Sequence, residues 1–285
     1  MRIFLTGGSG YIGRATIAEL VRQGHVVEAL ARTEQSAQAV AGAGAVAVLG
    51  GLTDLEVLNH GAARAEAVIH LAQAGSADMD LAAAAAMQDG IGAGTYVHTG
   101  GSWVYGDTQG EQDETAPWNP PSVVAWRRPV EDEVLARAAD GGRPVIVQPG
   151  LLYGGDNRLI DHFFITPGKV NGAIPYIGDG ANRWALIHID DIATLYAAAL
   201  SAKAGAVYIG VGESRPTMKQ VAEAVARGAG LGGKTVSITR EQARAQMGPI
   251  ADAFALDQRL SSAKARRELG WAPAHRDPLA TFERG

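Results

Sequence analysis

Residues 6–13 read TGGSGYIG, a run that sets Gly7, Gly10 and Gly13 three residues apart. An apolar run at 2–6 leads into it and an amphipathic stretch at 15–22 follows, so the sequence predicts a strand, a tight turn and a helix in direct succession. In that setting each glycine has its own role. Gly7 permits the turn, Gly10 lets the backbone approach a pyrophosphate, and Gly13 lets the helix lie close to the strand. The diphosphate then rests on the free N–H groups at the helix's partly positive start. Spacing alone would mean little, because 37 residues are glycine and such spacings arise by chance; the flanking elements carry the inference. Thr6, Gly7, Ser9, Gly10, Tyr11, Ile12 and Gly13 are therefore the expected phosphate cradle of a dinucleotide.

Beyond the loop, short runs rich in Val and Ile alternate with Ala-rich amphipathic stretches. Runs at 2–6, 26–31, 45–49, 67–71, 95–99 and 144–148 predict the strands of an α/β fold, a doubly wound parallel Rossmann sheet whose ligands bind at the carboxyl edge. The alanine-dense run 81–87 reads as a well-propagating helix. The segment PWNPP at 117–121 reads as a rigid loop, and past about residue 150 Gly and Pro rise while the alternation fades. The expected division is a dinucleotide domain at 1–155, to which 185–200 returns, and a smaller C-terminal α+β substrate lobe at 156–285. That lobe should hold a helix at 218–227 capped by Thr217 and a last helix at 261–269 ended by Gly270.

Bulk composition removes several function classes. With 47% apolar and 19% charged residues in a chain of 285, a large core can form and general disorder is excluded. A net charge of −5 without a like-charge block gives no footprint for nucleic acid. Absence of cysteine removes disulfides, thiolate metal sites and cysteine nucleophiles, and no metal site is read from the sequence. No signal peptide is read and no run approaches the roughly 18 apolar residues of a membrane span, so the expected location is cytoplasmic.

The second predicted strand ends in EALART. An NAD-binding protein places a carboxylate at that turn to accept from the adenosine ribose. Ala31 and Arg32 occupy it here. A guanidinium pairs with a 2′-phosphate through its forked donors, and loss of the acid removes repulsion, so both changes favour NADP(H). Arg14 offers a second cation. The plainer alternative makes Arg32 an ordinary solvated arginine.

Several segments then agree in order with one family. TGGSGYIG matches TGxxGxxG, AVIHLA at 67–72 its fourth strand, WVYG at 103–106 its VYG, and QPGLLYG at 148–154 its RPxxVYG; HIDDIA at 188–193 and SSAKARRELGWAP at 261–273 follow. The chain thus resembles the extended short-chain dehydrogenase/reductases of NAD(P)-dependent epimerase/dehydratase type over nearly its whole length. The resemblance implies a nicotinamide lying over Leu151 and Leu152 beside Pro149, with Leu52, Leu71, Ala72 and Thr99 along the rest of the cofactor. It leaves a homodimer open through helices flanking the sheet, although 76–94 is short for that purpose. It also implies a Tyr-x-x-x-Lys pair, in which tyrosine moves the proton while lysine lowers its pKa and holds the ribose. No tyrosine here has a lysine four residues on, and the first lysine in the chain is Lys169. The aligned segment AWRRPVEDEVL puts Trp126 or its neighbour at the tyrosine place and Pro129 or Val130 at the lysine place. Gly101 stands where the family has serine, and Gln148 where it has arginine. The chain therefore resembles the atypical divisions, which keep the cradle and rebuild the active centre.

The remaining polar groups near the fifth and sixth strand ends are His98, Thr99, Ser102, Tyr105, Gln148 and Tyr153, joined by Trp126 and Arg127. Tyr105 is the expected proton donor, with Ser102 and Thr99 as hydrogen-bond donors and Arg127 as charged stabiliser. An unassisted phenol, with a pKa near about 10, suits donation better than abstraction, so reduction is favoured over oxidation. Each has a plainer reading: Tyr105 and Trp126 as packing residues, His98 as a satisfied core histidine, Asp190 and Asp191 as a helix cap. Phe163, Phe164, Tyr176 and Trp184 are expected to line a cleft suited to an apolar or aromatic small molecule. Three functions stay open: an NADPH-dependent oxidoreductase on a small carbonyl compound, a lyase, isomerase or aldolase-like enzyme without net redox change, and a non-catalytic NADP(H) sensor.

Overall fold

A computed structural model describes residues 1–156 and 158–284, so Asn157 and Gly285, both inside the range assigned to the second lobe, lie outside the described residues. The first half alternates strictly: β1 (Arg2–Thr6), α1 (Tyr11–Arg22), β2 (Val26–Ala31), α2 (Glu34–Gly42), β3 (Val46–Leu49), α3 (Leu55–Ala63), β4 (Ala67–His70), α4 (Ala77–Ile91) and β5 (Thr95–Thr99). After a long loop come α5 (Arg127–Ala136), β6 (Arg143–Pro149), β7 (Leu151–Tyr153), the short α6 (Arg158–Ile160), α7 (Thr166–Asn171) and β8 (Ile174–Ile177). The chain continues through β9 (Leu186–His188), α8 (Ile189–Ala199), β10 (Ala206–Gly210), α9 (Met218–Gly228) and β11 (Thr235–Ile238). Four helices close it, α10 (Arg240–Met247), α11 (Ile250–Phe254), α12 (Ala263–Leu269) and α13 (Pro278–Arg284).

Seven strands form one all-parallel sheet in the order β10-β6-β5-β4-β1-β2-β3. The order reverses between β1 and β4, and such a reversal opens a crevice at the strands' carboxyl ends. A sheet buried on both faces needs near-continuous apolar strands, which Ile3, Phe4 and Leu5 or Val145, Ile146 and Val147 supply, all fully buried. On one face α1 and α8 pack over Ile3, Leu5 and Val97; on the other α3, α4 and α5 cover Phe4, Val68 and Ile146. The parallel pair β8 and β11, with α9 and the α10–α11 segment, surrounds a separate core of Phe164, Trp184, Met218 and Phe254.

Several element boundaries differ from those the sequence predicts. The helix expected at 15–22 begins at Tyr11, because the loop's last glycine already belongs to its first turn. The alanine run 81–87 is the middle of a longer helix that Ser76 caps by accepting from the Met79 N–H at 3.3 Å. β10 was not expected, since AVYIG stands alone after the alternation has faded. The helix expected at 261–269 starts at Ala263, because the Ser262 hydroxyl is held by the Val211 backbone, accepting at 2.9 Å and donating at 2.7 Å, and it is not the last, since α13 follows it. Strand edges at β3, β4 and β6 shift by one residue.

Candidate functional site

The loop between β1 and α1 is built as its glycines require. Gly7 has φ 74°, and a Cβ there would lie 2.6 Å from the Ala72 nitrogen. A Cβ on Gly13 would collide with the Gly7 carbonyl, to which the Gly10 N–H donates at 3.0 Å. Gly10 differs: its φ of −77° suits any residue, and a Cβ would meet only the Gly7 oxygen at 3.1 Å. Its lack of a side chain therefore serves something outside the loop. No side chain caps α1 and no acid stands in its first turn, which leaves its leading N–H groups free for an anion. These features fit the diphosphate of a dinucleotide. Ser9 and Gly10 are exposed at the rim, whereas Thr6 is fully buried below it.

A cavity of about 600 Å³ runs from this loop across the sheet's carboxyl edge. Of the residues expected to hold the cofactor, it brings together Tyr11, Ile12, Leu71, Ala72, Thr99, Pro149, Leu151 and Leu152. Arg32 stands away from it, exposed directly after β2, with no hydrogen-bond or ion-pair partner among the described residues. Leu52 lies on the same far side and packs against the Leu30 cluster. Arg14 faces Asp156 at 3.5 Å.

At the other end the cavity touches Thr99, Ser102 and Arg127. Arg127 Nη1 donates to the Thr99 carbonyl at 3.0 Å, and its guanidinium lies 4.8 Å over the Trp126 ring. Its Nε is buried without a partner, and among the described residues the group forms no ion pair. The Thr99 hydroxyl accepts from Tyr196 at 3.0 Å and donates to the His70 carbonyl at 2.7 Å. Tyr105 does not join them. It is 2% exposed, away from the cavity lining, and its hydroxyl donates to Gln148 Oε1 at 2.6 Å. Burial, then the charges of Glu114, Glu131 and Asp113, push that phenol further above its ordinary value.

Gln148 passes the chain on, donating to Glu131 Oε2 at 2.8 Å, while Glu131 Oε1 is buried without a partner. Burial raises the Glu131 carboxyl to about 7, against the pull of the Gln148 bond and the Arg127 charge. The inward face of α5 thus carries Arg127 and, four residues on, Glu131, whereas Val130 packs in the apolar cluster below the sheet. Trp126 and its neighbour Arg127 both line the cavity. Gly100 leaves the room that Arg127 and Glu131 occupy, since a Cβ would stand 2.6 Å from Glu131 Oε1 and 2.7 Å from the Gln148 side chain.

Sequence reasoning missed a second polar group. Asp80, buried on α4, lines the cavity between two buried imidazoles, with Oδ1 3.7 Å from His70 Nε2 and Oδ2 3.9 Å from His98 Nε2. The sequence shows Asp80 only as one of two acids, with Asp78, that precede the alanine run. The aromatic lining expected from the second lobe is corrected: Phe164 and Trp184 are consumed in its core, each packed on Phe254 within 5.8 Å. Trp103, Val123, Val124, Trp126, Leu159 and Ile250 form the apolar wall instead. Asp190 and Asp191 are not the cap of α8; His188 is, its Nδ1 accepting from the Asp190 N–H at 3.2 Å.

Sheet order, glycine cradle and edge cavity together define a dinucleotide-binding α/β protein of the Rossmann type. The model of the NAD dependent epimerase/dehydratase family matches residues 3–210, and the chain belongs to that family. It is 30% identical over 286 residues, 96% of each chain, to the uncharacterized protein C2A9.02 of Schizosaccharomyces pombe. It is 28% identical over 257 residues, 79% of this chain and 75% of the other, to a 2-alkyl-3-oxoalkanoate reductase of Stenotrophomonas maltophilia. Among solved structures, the dTDP-glucose 4,6-dehydratase DesIV of Streptomyces venezuelae, with NAD and TYD bound, aligns at a TM-score of 0.80 and 21% identity, covering 100% of this chain and 95% of that one. No helix among the described residues is long and apolar enough to cross a membrane.

Proposed function

We propose that the protein is an NADP(H)-dependent oxidoreductase that reduces a small, apolar carbonyl compound. The observation that carries this reading is the continuity of one cavity from Tyr11 and Ile12 at the cradle to Ser102 and Arg127, walled by indole and aliphatic side chains. Gly7, Ser9, Gly10 and Gly13 would hold the diphosphate, Arg32 the 2′-phosphate, and Thr99, Pro149, Leu151 and Leu152 the nicotinamide end. When bound, the reduced cofactor supplies the hydride. Ser102 donates a hydrogen bond to the carbonyl oxygen, the guanidinium of Arg127, which forms no ion pair among the described residues, stabilises the charge that develops there, and the proton that completes the alcohol passes from solvent through the Ser102 hydroxyl. Trp103, Val123, Val124 and Ile250 exclude water and favour a hydrocarbon substituent over a polar one. The reductase named among the relatives supports the direction of reaction.

Calorimetry with NADPH and NADH, followed by absorbance at 340 nm over a panel of apolar ketones and aldehydes, tests it. Uptake of NADPH with substrate-dependent loss of absorbance is expected. Product formation at constant absorbance would move the protein to the lyase or isomerase class, and failure to bind NADPH would end the reading.

A further inference from the structure

The His70–Asp80–His98 group has no explanation in packing, since three ionisable side chains withdrawn from water are costly unless they serve one another or a ligand. Its hydrogen bonds fix what it presents. The Thr6 hydroxyl sits 2.6 Å from His70 Nδ1, accepts from the Ala72 N–H at 3.4 Å, and among the described residues has no other acceptor for its own hydrogen than the ring. The Tyr96 phenol, which burial holds well above its ordinary pKa, lies 3.2 Å from His98 Nδ1 and has no other partner among the described residues. Both Nδ1 atoms therefore accept, and both rings carry their hydrogen on Nε2, the atom that faces Asp80. Burial, then the neighbouring His70, drives His98 below its ordinary pKa, in keeping with a neutral ring. Burial alone would raise the Asp80 carboxyl. His70, the Ala74 N–H donating to Oδ1 at 3.1 Å and His98 outweigh it and hold the carboxyl below its ordinary range. The result is an ionised carboxylate whose one hydrogen bond among the described residues comes from the Ala74 N–H, with the two Nε2 atoms near it at 3.7 and 3.9 Å, His70 Nε2 itself buried without a hydrogen-bond partner, and one edge on the cavity. Arg127 is the cation that faces the same space from α5.

We infer that Asp80 is the acceptor for the vicinal hydroxyls of the ribose on the nicotinamide side of the cofactor. The inference rests on the reading that this cavity takes the nicotinamide end. Ribose hydroxyls donate, and a preorganised carboxylate on the same cavity lining as Ala72 and Thr99 receives them without a lysine in the nucleotide-binding half. His70 and His98 act as positioning residues.

Calorimetry on the full chain with two ligands decides it: NADPH, and adenosine 2′,5′-bisphosphate, which lacks the nicotinamide ribose. Asp80→Asn, with its melting temperature checked, should weaken NADPH at least tenfold and leave the bisphosphate within twofold. His98→Leu, a second variant should Asp80→Asn not fold, should weaken NADPH about threefold and again spare the bisphosphate. Equal affinity of wild type and variants for NADPH overturns the inference, as does a parallel loss for both ligands, which marks a structural role. A rise confined to the KM of a hydroxylated substrate also overturns it, by giving the carboxylate to substrate. If wild type binds the bisphosphate but gains nothing from the nicotinamide half, the reading of the cavity fails in the wild-type arm, before any variant is compared.

Discussion

The two ends of the cavity are made from different materials. At the β1–α1 loop the working groups are backbone N–H groups, placed by three glycines within seven residues, and the side chains matter mainly by being absent. At the β4–β5–β6 end they are buried and half-buried side chains, Asp80, Thr99, Ser102 and Arg127 with Glu131 behind them, brought from three elements and a loop separated by up to 51 positions in sequence. A backbone site is either formed or not, because its geometry is that of the fold. A side-chain site can be rebuilt one residue at a time on an unchanged fold, which is how a cradle and an altered wall coexist in one chain.

The largest test of this contrast lies at Gly10. Gly10→Val keeps an allowed φ and meets only one neighbour, so the melting temperature should hold, yet its methyl groups occupy the space of a pyrophosphate. NADPH affinity should fall a hundredfold or more by calorimetry. A variant that binds normally would show that the cradle holds something other than a diphosphate.

The side-chain end should respond to pH in a way the cradle does not. Glu131 is raised from 4.5 to about 7 in the folded protein. The folded state therefore binds more protons than the unfolded one between those values, and stability falls as pH rises through that window. Glu131→Gln removes the charge that must be buried. It should match wild type near pH 4.5 and exceed it above pH 7, by no more than about 3 kcal/mol at about 1.4 kcal/mol per pKa unit. Urea melts at pH 5 and 8 measure this; parallel curves for the two proteins would mean that Glu131 is not held neutral.

The same contrast explains what the sequence could tell. TGGSGYIG is local and its neighbours are periodic, so the cradle, its strand and its helix could be read from about twenty consecutive residues. Six of the seven sheet strands were legible for the same reason. Arg127 could be named because a resemblance points at its segment, but that both it and Trp126 reach the cavity depends on how α5 rolls on the sheet. Asp80 was invisible: its partners His70 and His98 lie on β4 and β5, and nothing in DMDLAAAAAM states that the first turn of that helix faces their imidazoles. The second lobe's aromatics misled because a ring looks alike in sequence whether it lines a cleft or fills a core. Here Phe254, on a short helix far along the chain, gathers Phe164 and Trp184 inward.

A smaller effect is expected at the cradle's far edge. Arg32 is exposed and unpartnered, so Arg32→Ala should leave stability unchanged. NADPH affinity should drop about tenfold, the equivalent of about 1.4 kcal/mol for one charge-assisted contact, with NADH unaffected. Equal losses for the two cofactors would remove the 2′-phosphate from the account.

The smallest change in turnover is expected at Tyr105, the residue whose place in the VYG segment first recommends it as the acid. Its hydroxyl is spent on Gln148 Oε1, and Gln148 is itself committed to Glu131. Tyr105→Phe leaves a fully buried amide oxygen unsatisfied, which costs about 1–3 kcal/mol of stability. The proton has no direct route from this phenol to a substrate in the cavity, so kcat should stay within about threefold of wild type, far short of the 10²–10⁴ that a general acid contributes. The two readouts separate the regions cleanly. A melting temperature that falls with kcat intact makes Tyr105 part of the scaffold behind the wall; a kcat that collapses with the melting temperature intact returns the hydroxyl to the chemistry and requires Gln148 to swing away when substrate binds.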